Sequence, residues 1–318
     1  MPPTYETEDV LFQGYPARAL HDRESKLTAV FTPGVGMLGC SLEHDRDELL
    51  GHRAGLARYE ATGSTMGIPL LHPWANRLSG FSYAAGGRAV ELVGDSPLIR
   101  TDANGLPIHG VVNASPYWEV LGADADNTSA RLSARLDFGA HPELLEAFPY
   151  PHELRIDAIV RSSMLIVRTT LTATGDSVVP VSFGYHPYLV LPDVPRADWH
   201  VELPVRRRLV LDERSIPTGE VEDVEIPPGP LGETTYDDGF EGIEDGARFV
   251  LAGGGRRLTV EFVSGYRFAQ VYAPEKEDVI CFEPMTAPTD ALVSGRDLPL
   301  VAPGETRSAT FAITVERT

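Results

Sequence analysis

Four short stretches of this 318-residue chain place chemically reactive side chains among apolar or turn-forming residues. In one of them, Glu283 follows the apolar run 279–282 and precedes Pro284. A central strand does not continue through proline, so the pattern predicts that Glu283 lies at the end of a strand. Apolar neighbours disfavour the ionised carboxyl group, and the resulting raised pKa suits a general base. The alternative is an exposed strand-end glutamate, which is the commoner case for such a residue alone.

Two histidines could supply a matching acid. His186 lies in the apolar and aromatic stretch 181–190, where burial would lower its pKa and a nearby carboxylate would raise it again. It is therefore a candidate proton donor near neutral pH. His109 precedes Gly110, which allows the close approach of another backbone and leaves the imidazole at a turn. Either histidine could instead be structural, with its ring bonded to a backbone carbonyl.

The stretch 67–78 combines an aromatic ring with planar hydrogen-bond donors. Trp74 offers an apolar face, and Asn76 and Arg77 offer forked donors. Sugars need both, because their C–H faces stack on rings and their hydroxyls bridge donors. A half-buried tryptophan beside an ion-paired arginine is the alternative. Asp237 lies in an Asp-Asp-Gly sequence that favours an ordinary turn, although its carboxylate could also bind a ligand.

The charge balance limits the partners of the chain. Lys and Arg number 27 against 46 Asp and Glu, a net charge of −19. Nucleic acid and anionic membrane both need clustered positive charge, so neither is expected as a partner. An uncharged substrate is favoured, although a local arginine pocket would override this inference.

The cysteine content and the hydropathy of the chain suggest its compartment. Two cysteines are too few for a disulfide scaffold, and Cys281 is predicted to be a buried thiol. The N-terminal residues lack a signal-like pattern, and no apolar run reaches the length of about 18 residues that a spanning helix needs. We therefore expect a cytoplasmic protein.

Strand signals recur along the chain, whereas helical periodicity is nearly absent. Residues 154–158 and 258–262 alternate apolar and polar side chains, and residues 164–172 are rich in β-branched ones. The 30 glycines and 26 prolines fall mainly between such runs. Many short strands with frequent turns predict an all-β fold, a large antiparallel sandwich or barrel.

Three further features complete the predicted organisation. Short helices are possible at 45–59 and 142–148. The acidic segment 221–244, which contains a Pro-Pro-Gly-Pro sequence, is interpreted as a long loop because strand-like sequence resumes after it. The chain is therefore expected to form one domain over 1–318, with residues 1–9 as a loose N-terminal segment.

Taken together and in order, these motifs resemble the aldose 1-epimerase (galactose mutarotase) family. The matching motifs are Asn76-Arg77, His109-Gly110, Phe148-Pro149-Tyr150-Pro151, His186-Pro187-Tyr188, Asp237-x-x-Phe240 and Glu283-Pro284. Each motif is weak alone, but their shared order over residues 27–315 makes a strong combined signal.

The resemblance implies a single-domain β-supersandwich of antiparallel sheets with few short helices. It implies an isomerase that interconverts the α and β anomers of a free aldose without cofactor or metal, acting as a monomer or homodimer on a small sugar. By position it implies Glu283 as base, His186 as acid, His109 as a second active-site histidine, Arg77 and Asp237 as ligands of sugar hydroxyls, and Asn76 and Trp74 beside Arg77.

Two departures from the family pattern leave the sugar open. Val111 follows His109-Gly110 where galactose mutarotases often have a second glycine, and Asp290 stands where relatives often have asparagine. These features resemble the broad aldose-epimerase-like group more than the strict galactose mutarotases.

Several other functions compete with this interpretation. A non-catalytic sugar-binding or sensing protein could use the same fold. A hexose-6-phosphate mutarotase would need a basic clamp for the phosphate. Asp237 and Glu283 could be the paired carboxylates of a glycoside hydrolase. A metal enzyme built on His72, His109 and His186 is disfavoured, because the sequence contains no close ligand pair such as His-x-His.

Overall fold

The computed structural model describes residues 3–318, in which strands form most of the regular structure. The strands are β1 (Tyr5–Phe12), β2 (Tyr15–Asp22), β3 (Leu27–Thr32), β4 (Leu38–His44), β5 (Asp47–Glu48), β6 (Leu70–Leu71), β7 (Ser82–Ala85), β8 (Arg88–Glu91), β9 (Glu119–Ala125), β10 (Ala130–Asp137), β11 (His152–Arg161), β12 (Met164–Ala173), β13 (Val179–Pro180), β14 (Gly184–Tyr185), β15 (Tyr188–Leu189), β16 (His200–Glu202), β17 (Arg207–Leu211), β18 (Pro217–Asp223), β19 (Gly229–Pro230), β20 (Tyr236–Glu241), β21 (Ala247–Gly253), β22 (Arg256–Ser264), β23 (Phe268–Ala273), β24 (Ile280–Met285), β25 (Leu300–Val301) and β26 (Thr306–Arg317). The helices are short: α1 (Leu56–Thr62), α2 (Pro142–Ala147), α3 (Ala291–Ser294), and single 3₁₀ turns at Phe138–Ala140 and Arg196–Asp198.

Two large sheets dominate the architecture. One has nine strands in the order β19-β16-β21-β22-β26-β12-β11-β10-β9, and the other has the order β18-β17-β20-β23-β24-β14-β6, with β15 also paired to β24. A third sheet contains β1 to β5 in sequence order. Neighbouring strands pair antiparallel, as in β11 with β12 and β23 with β24. The predicted all-β fold of antiparallel sheets with few short helices is confirmed.

The main hydrophobic core lies between the two large sheets. Phe249 of the nine-stranded sheet packs against Phe282 of the other, with ring centroids 5.5 Å apart. Phe311 packs in the same way against Tyr185 at 4.9 Å. Buried members of this core extend from Tyr5 in β1 to residues of β26. This continuity supports our proposal that the chain is a single domain.

Strand alternation decides which side chains leave the core. Successive residues of a strand point to opposite faces, so Phe282 points into the core and its neighbour Glu283 points to the other face of the sheet. Gln270 pairs with Glu283 across β23 and β24, and Asp237 pairs with Tyr272 across β20 and β23. The register therefore gathers these polar residues on one face.

Several sequence-based expectations about local structure are wrong. The possible helix at 45–59 is wrong for its first part, since helix begins only with α1 at Leu56. The carboxylate of Glu48 accepts hydrogen bonds from the backbone N–H groups of Leu42 and Leu50 and so holds β5 against β4. Residues 5–9 are not loose, since β1 pairs with β2 along its whole length. The first two residues of the chain lie outside the described part.

The segment 221–244 is also not a long loop. It contains the end of β18, then β19 and β20, and β20 pairs with β23 throughout its length. The Asp-Asp-Gly sequence of Asp237, Asp238 and Gly239 lies inside β20 rather than in a turn. Pairing with a neighbouring strand outweighs local turn preference here.

Pro284 does not end its strand, contrary to expectation. β24 continues to Met285 and pairs with β23 on one side. On its other side, β14 pairs only at Met285 and β15 pairs only at Cys281 and Ile280. Pro284 falls in the gap between these two short strands, so its missing N–H breaks no continuous ladder. Glu283 is therefore held in the middle of a strand.

We expect Leu258→Ala to lower the free energy of unfolding by about 2–5 kcal/mol, because Leu258 is fully buried between the large sheets and its removal leaves a cavity. Leu11 is 73% exposed, and Leu11→Ala should cost less than about 0.5 kcal/mol. Urea unfolding followed by fluorescence measures both losses. Similar losses for the two variants would contradict the assignment of the core.

Candidate active site

A buried acid–base pair lies at the centre of the polar face. Nε2 of His186 is 3.2 Å from Oε1 of Glu283, and their side chains are only 6% and 2% exposed. Glu283 comes from β24, and His186 comes from the segment that joins β14 to β15. The structure thus brings together two residues almost one hundred positions apart that the sequence singled out separately.

Burial shifts both pKa values toward the neutral forms. It raises the pKa of Glu283 well above its ordinary range, and the negative charge of Asp237 adds to this effect. It lowers the pKa of His186 to about 3, helped by the positive charge of Arg53. Both shifts favour the neutral forms, and the direct contact lets a proton held by one group pass to the other.

Several buried polar atoms around this pair have no hydrogen-bond partner among residues 3–318. They are Nδ1 of His186, Nδ1 of His109 and Oε2 of Glu283. Buried polar groups in folded proteins are usually paired, so this cluster is a candidate place for a polar ligand. The ring of His109 lies edge-on to that of His186, with centroids 5.4 Å apart.

A tight backbone contact positions His109. Both His109 and Gly110 have positive φ, 64° and 69°, and the N–H of Val111 donates to the carbonyl of His72. A Cβ atom on Gly110 would lie 2.1 Å from that carbonyl oxygen. The sequence-based expectation that Gly110 allows a close backbone approach is confirmed. The N–H of His109 also donates to the carbonyl of Asn76, which joins this turn to the Arg77 segment.

The guanidinium group of Arg77 is held from several sides and lies near Glu283 and His186. Its Nε donates to Oδ2 of Asp102 at 2.7 Å, and its Nη1 donates to Oδ1 of Asn76 at 3.0 Å. Its Nη2 lies 3.7 Å from Oδ2 of Asp237. Gln270 holds the other carboxylate oxygen of Asp237 through a 2.7 Å hydrogen bond. Because Asp237 is 43% exposed, this cluster forms the open rim of the site.

Sequence reasoning missed the residues that support His186. The ring of Tyr188 stacks on His186 at 4.3 Å, and its hydroxyl lies 3.4 Å from Nε2. Thr65 bonds the same hydroxyl at 2.6 Å, and Arg53 donates to it at 3.4 Å. The His-Pro-Tyr motif was a signal for Tyr188. Asp102, Gln270, Thr65 and Arg53 lie in unremarkable sequence and are found only through their contacts.

Two residues of the 67–78 stretch belong to the core instead of the ligand-facing surface. Trp74 is 1% exposed and packs in the main hydrophobic core, so we leave it out of the proposed sugar-binding set. His72 contacts His152, with 2.8 Å between their Nε2 atoms, and burial lowers the pKa of both. The carbonyl of Tyr150 accepts from Nδ1 of His152, so the bond between the rings runs from His72 to His152.

Asp290 has a structural task that asparagine could also perform. It adopts a left-handed conformation at the start of α3, which asparagine and aspartate tolerate better than most residues. Its carboxylate accepts from the N–H of Ser79 at 2.7 Å, and its own N–H donates to the carbonyl of Arg77. Asp290 therefore fixes the segment that carries Arg77.

Two general features of the described residues bear on the class of protein. Within residues 3–318, His, Cys, Asp and Glu side chains form no group of three or more arranged to hold a metal ion. Over the same residues, every helix is too short or too polar to cross a bilayer.

The fold is a β-sandwich. One face of the smaller of its two large sheets carries Glu283 and His186, a buried pair of a carboxyl group and an imidazole. The model of the aldose 1-epimerase family matches residues 37–314. The chain belongs to this family, which acts on sugars, and the resemblance seen in the sequence is confirmed.

Individual relatives are similar to this chain over most of its length. The uncharacterized protein YihR of Escherichia coli (strain K12) is 25% identical over 287 residues, covering 83% of this chain and 88% of that protein. The solved structure of the Slr1438 protein from Synechocystis sp. PCC 6803 has a TM-score of 0.77 at 24% identity, covering 100% of this chain and 99% of the other. A galactose mutarotase-like protein from Clostridium acetobutylicum has a TM-score of 0.82 at 18% identity, covering 99% and 98%. At these identities the two structural matches show the shared fold.

Gly110→Ala should destabilise the protein more than Gly105→Ala does. Both glycines have positive φ, 69° and 73°, so each substitution strains the backbone by about 1–2 kcal/mol. Only at Gly110 does the new Cβ also meet a backbone oxygen, whereas at Gly105 it meets nothing within 4 Å. We expect at least about 1 kcal/mol of additional loss at Gly110, measured by urea unfolding. Equal losses would show that the turn moves freely away from His72.

Proposed function

We propose that this protein is an aldose 1-epimerase that interconverts the α and β anomers of an aldose by general acid–base catalysis. The observation that carries the proposal is the buried contact between His186 and Glu283, whose Nε2 and Oε1 atoms lie 3.2 Å apart. Pure sugar binding needs no such pair, whereas ring opening needs a base and an acid at adjacent oxygens.

The shared proton fits the balance of the reaction. In the form with ionised Glu283 and protonated His186, Glu283 removes the proton of the C1 hydroxyl while His186 protonates the ring oxygen. The bond between C1 and the ring oxygen breaks, which gives the open-chain aldehyde, and the C1–C2 bond rotates. Ring closure reverses both proton transfers and yields the other anomer. The pair holds one proton before and after each step.

The separation of the pair limits how a sugar can lie against it. Because the two groups are 3.2 Å apart, they face the same edge of a bound sugar in this proposal. The C1 hydroxyl oxygen and the ring oxygen are both bonded to C1, so adjacent groups can reach both.

The remaining residues hold the sugar in this proposal. At the rim, Arg77 is fixed by Asp102 and presents donors to a sugar hydroxyl. Asp237 is fixed by Gln270 and presents an acceptor to a neighbouring hydroxyl. Asn76 acts through Arg77, because its Oδ1 accepts from the guanidinium. His109 has a free Nδ1 beside His186 and serves as a second hydrogen-bonding group. Burial lowers the pKa of His109, so it binds as a neutral imidazole.

Glu283→Gln and His186→Asn should each slow anomer exchange by about 10²–10⁴-fold, the usual contribution of one positioned proton transfer. NMR exchange spectroscopy on a panel of aldoses measures the rate directly. Glu261→Gln is the matched control, since Glu261 lies on the other large sheet and pairs with Arg248. Full activity in both site variants would reject the proposed mechanism. Sugar binding without any acceleration in the wild type would favour a sensing protein.

The pH profile should show two limits set by the pair. Activity is lost at high pH when the shared proton leaves, and at low pH when a second proton binds. The acid limb should lie below 6.5, the ordinary histidine value, because burial lowers the pKa of His186. The measurement is kcat/KM against pH, corrected for buffer-catalysed exchange. An acid limb centred at or above 6.5 would contradict a desolvated pair.

A further inference from the structure

Arg53 is a partly buried arginine that joins three other segments beside the acid–base pair. It lies in the loop between β5 and α1. Its Nη1 donates to the carbonyl of Thr65 at 3.1 Å and to the hydroxyl of Tyr188 at 3.4 Å. Its Nε and Nη2 donate to the two carboxylate oxygens of Glu277, at 2.8 and 2.9 Å. One guanidinium group thus connects the segment between α1 and β6, strand β15 and the connection between β23 and β24.

Two of these segments lead directly to the acid–base pair. Glu277 lies in the connection that runs into β24, and β24 carries Glu283. Tyr188 stacks on the ring of His186, with the ring planes 5° apart and the centroids 4.3 Å apart. The guanidinium of Arg53 also lies over the Tyr188 ring, 5.2 Å from its centroid, where a cation is attracted to the ring face. Arg53 is therefore tied to both members of the pair without touching either.

The hydrogen bonds of Arg53 favour a positioning role over contact with a ligand. A guanidinium has five N–H donors in a planar fork. The bonds to Glu277, Thr65 and Tyr188 use one donor of Nε, one of Nη2 and both of Nη1. The bidentate bond to a carboxylate is also the geometry in which arginine is most specific. Protein groups therefore already occupy most of the donors that a sugar could use.

Arg53 also acts on His186 through its charge. Burial lowers the pKa of His186 to about 3, and the positive charges of Arg53 and Arg77 act in the same direction. The other titratable groups that face the His186 ring are those of Glu283, His109, Tyr188 and Tyr272. Arg53 therefore opposes the binding of a second proton by the acid–base pair.

We propose that Arg53 is a positioning residue for the acid–base pair, which fixes the Tyr188 ring against His186 and anchors the connection that leads to Glu283. Without Arg53, Tyr188 would lose a hydrogen bond and Glu277 would lose its ion-pair partner. Both supports of the 3.2 Å contact would then loosen. The inference rests on the proposed function, because the separation of the pair matters for rate only if the pair transfers protons.

Anomer-exchange kinetics of Arg53→Met over a range of pH test this inference. We expect kcat to fall by about 10–10²-fold, because small misplacements of reacting groups cost that much. KM should change less than about threefold, since Arg53 does not hold the sugar. The acid limb of the pH profile should move up by at least about 0.5 pH unit, because a cation near His186 is lost.

Two further variants separate the charge of Arg53 from its hydrogen bonds. Arg53→Lys keeps the charge but not the planar fork, so kcat should fall while the acid limb stays in place. Glu277→Gln breaks the ion pair but leaves the cation, so the acid limb should not move up. Arg248→Met is the matched control, since Arg248 pairs with Glu261 at 2.9 Å on the other large sheet. It should leave kcat and the pH profile unchanged.

Several results would overturn the inference. One is a kcat of Arg53→Met within about twofold of the wild type, and another is an acid limb that does not move up in that variant. A loss that falls on KM instead of kcat would show that Arg53 contacts the sugar. If Arg53→Met does not fold, the other two variants decide: wild-type kcat in Arg53→Lys, or an upward move of the acid limb in Glu277→Gln, would reject the role.

An NMR titration of the histidine ring nitrogens without substrate separates this inference from the proposed function. The signals of His186 are assigned by their loss in His186→Asn. The protonated form of His186 should appear at higher pH in Arg53→Met than in the wild type or in Arg53→Lys. This shift in a protein that accelerates no anomer exchange would reject the proposed function alone. Anomer exchange by the wild type, with no shift in Arg53→Met, would reject this inference alone.

Discussion

The desolvation of Glu283 and His186 is the interaction on which the rest of the site depends. In water, each group would adopt its own charge state near neutral pH independently of the other. Enclosed together at 3.2 Å, they titrate as a coupled pair. The stacked ring of Tyr188, held by Thr65, and the core beneath β24 keep water away from this unit. The cost of burying these groups is offset by the packing of the whole sandwich.

Strand register converts this local chemistry into a binding surface. Gln270 faces Glu283 across one pair of strands, and Asp237 lies on the next strand, so three strands present polar groups to one face. The opposite face of the same strands supplies Phe282 and Val271 to the core. A shift of one residue in any of these strands would exchange the two sets. The stability of the core and the geometry of the site are therefore specified by the same pairing.

Charge is distributed unevenly around this surface. The chain as a whole is strongly acidic, yet three arginines lie close enough to His109 to lower its pKa. Two of them are matched by carboxylates and hold structure, while Arg100 donates to a backbone carbonyl and forms no salt bridge within residues 3–318. Net charge consequently describes the solvated exterior of this protein and says little about the ligand that its interior accepts.

The sequence by itself determined the all-β class and the family and singled out Glu283 and His186 as candidates, because alternating apolar residues and ordered motifs are local signals. It failed where long-range contacts outweigh local preference: Asp237 lies in a strand despite its turn sequence, Pro284 lies within a strand because its neighbours leave a gap, and Trp74 is buried in the core. Only the tertiary structure decided that Glu283 and His186 touch, that Asp102 and Gln270 hold the rim, and that Arg100 donates to the carbonyl of Gly63. These facts depend on distances between segments far apart in the chain, which pairing and packing set and local sequence does not encode.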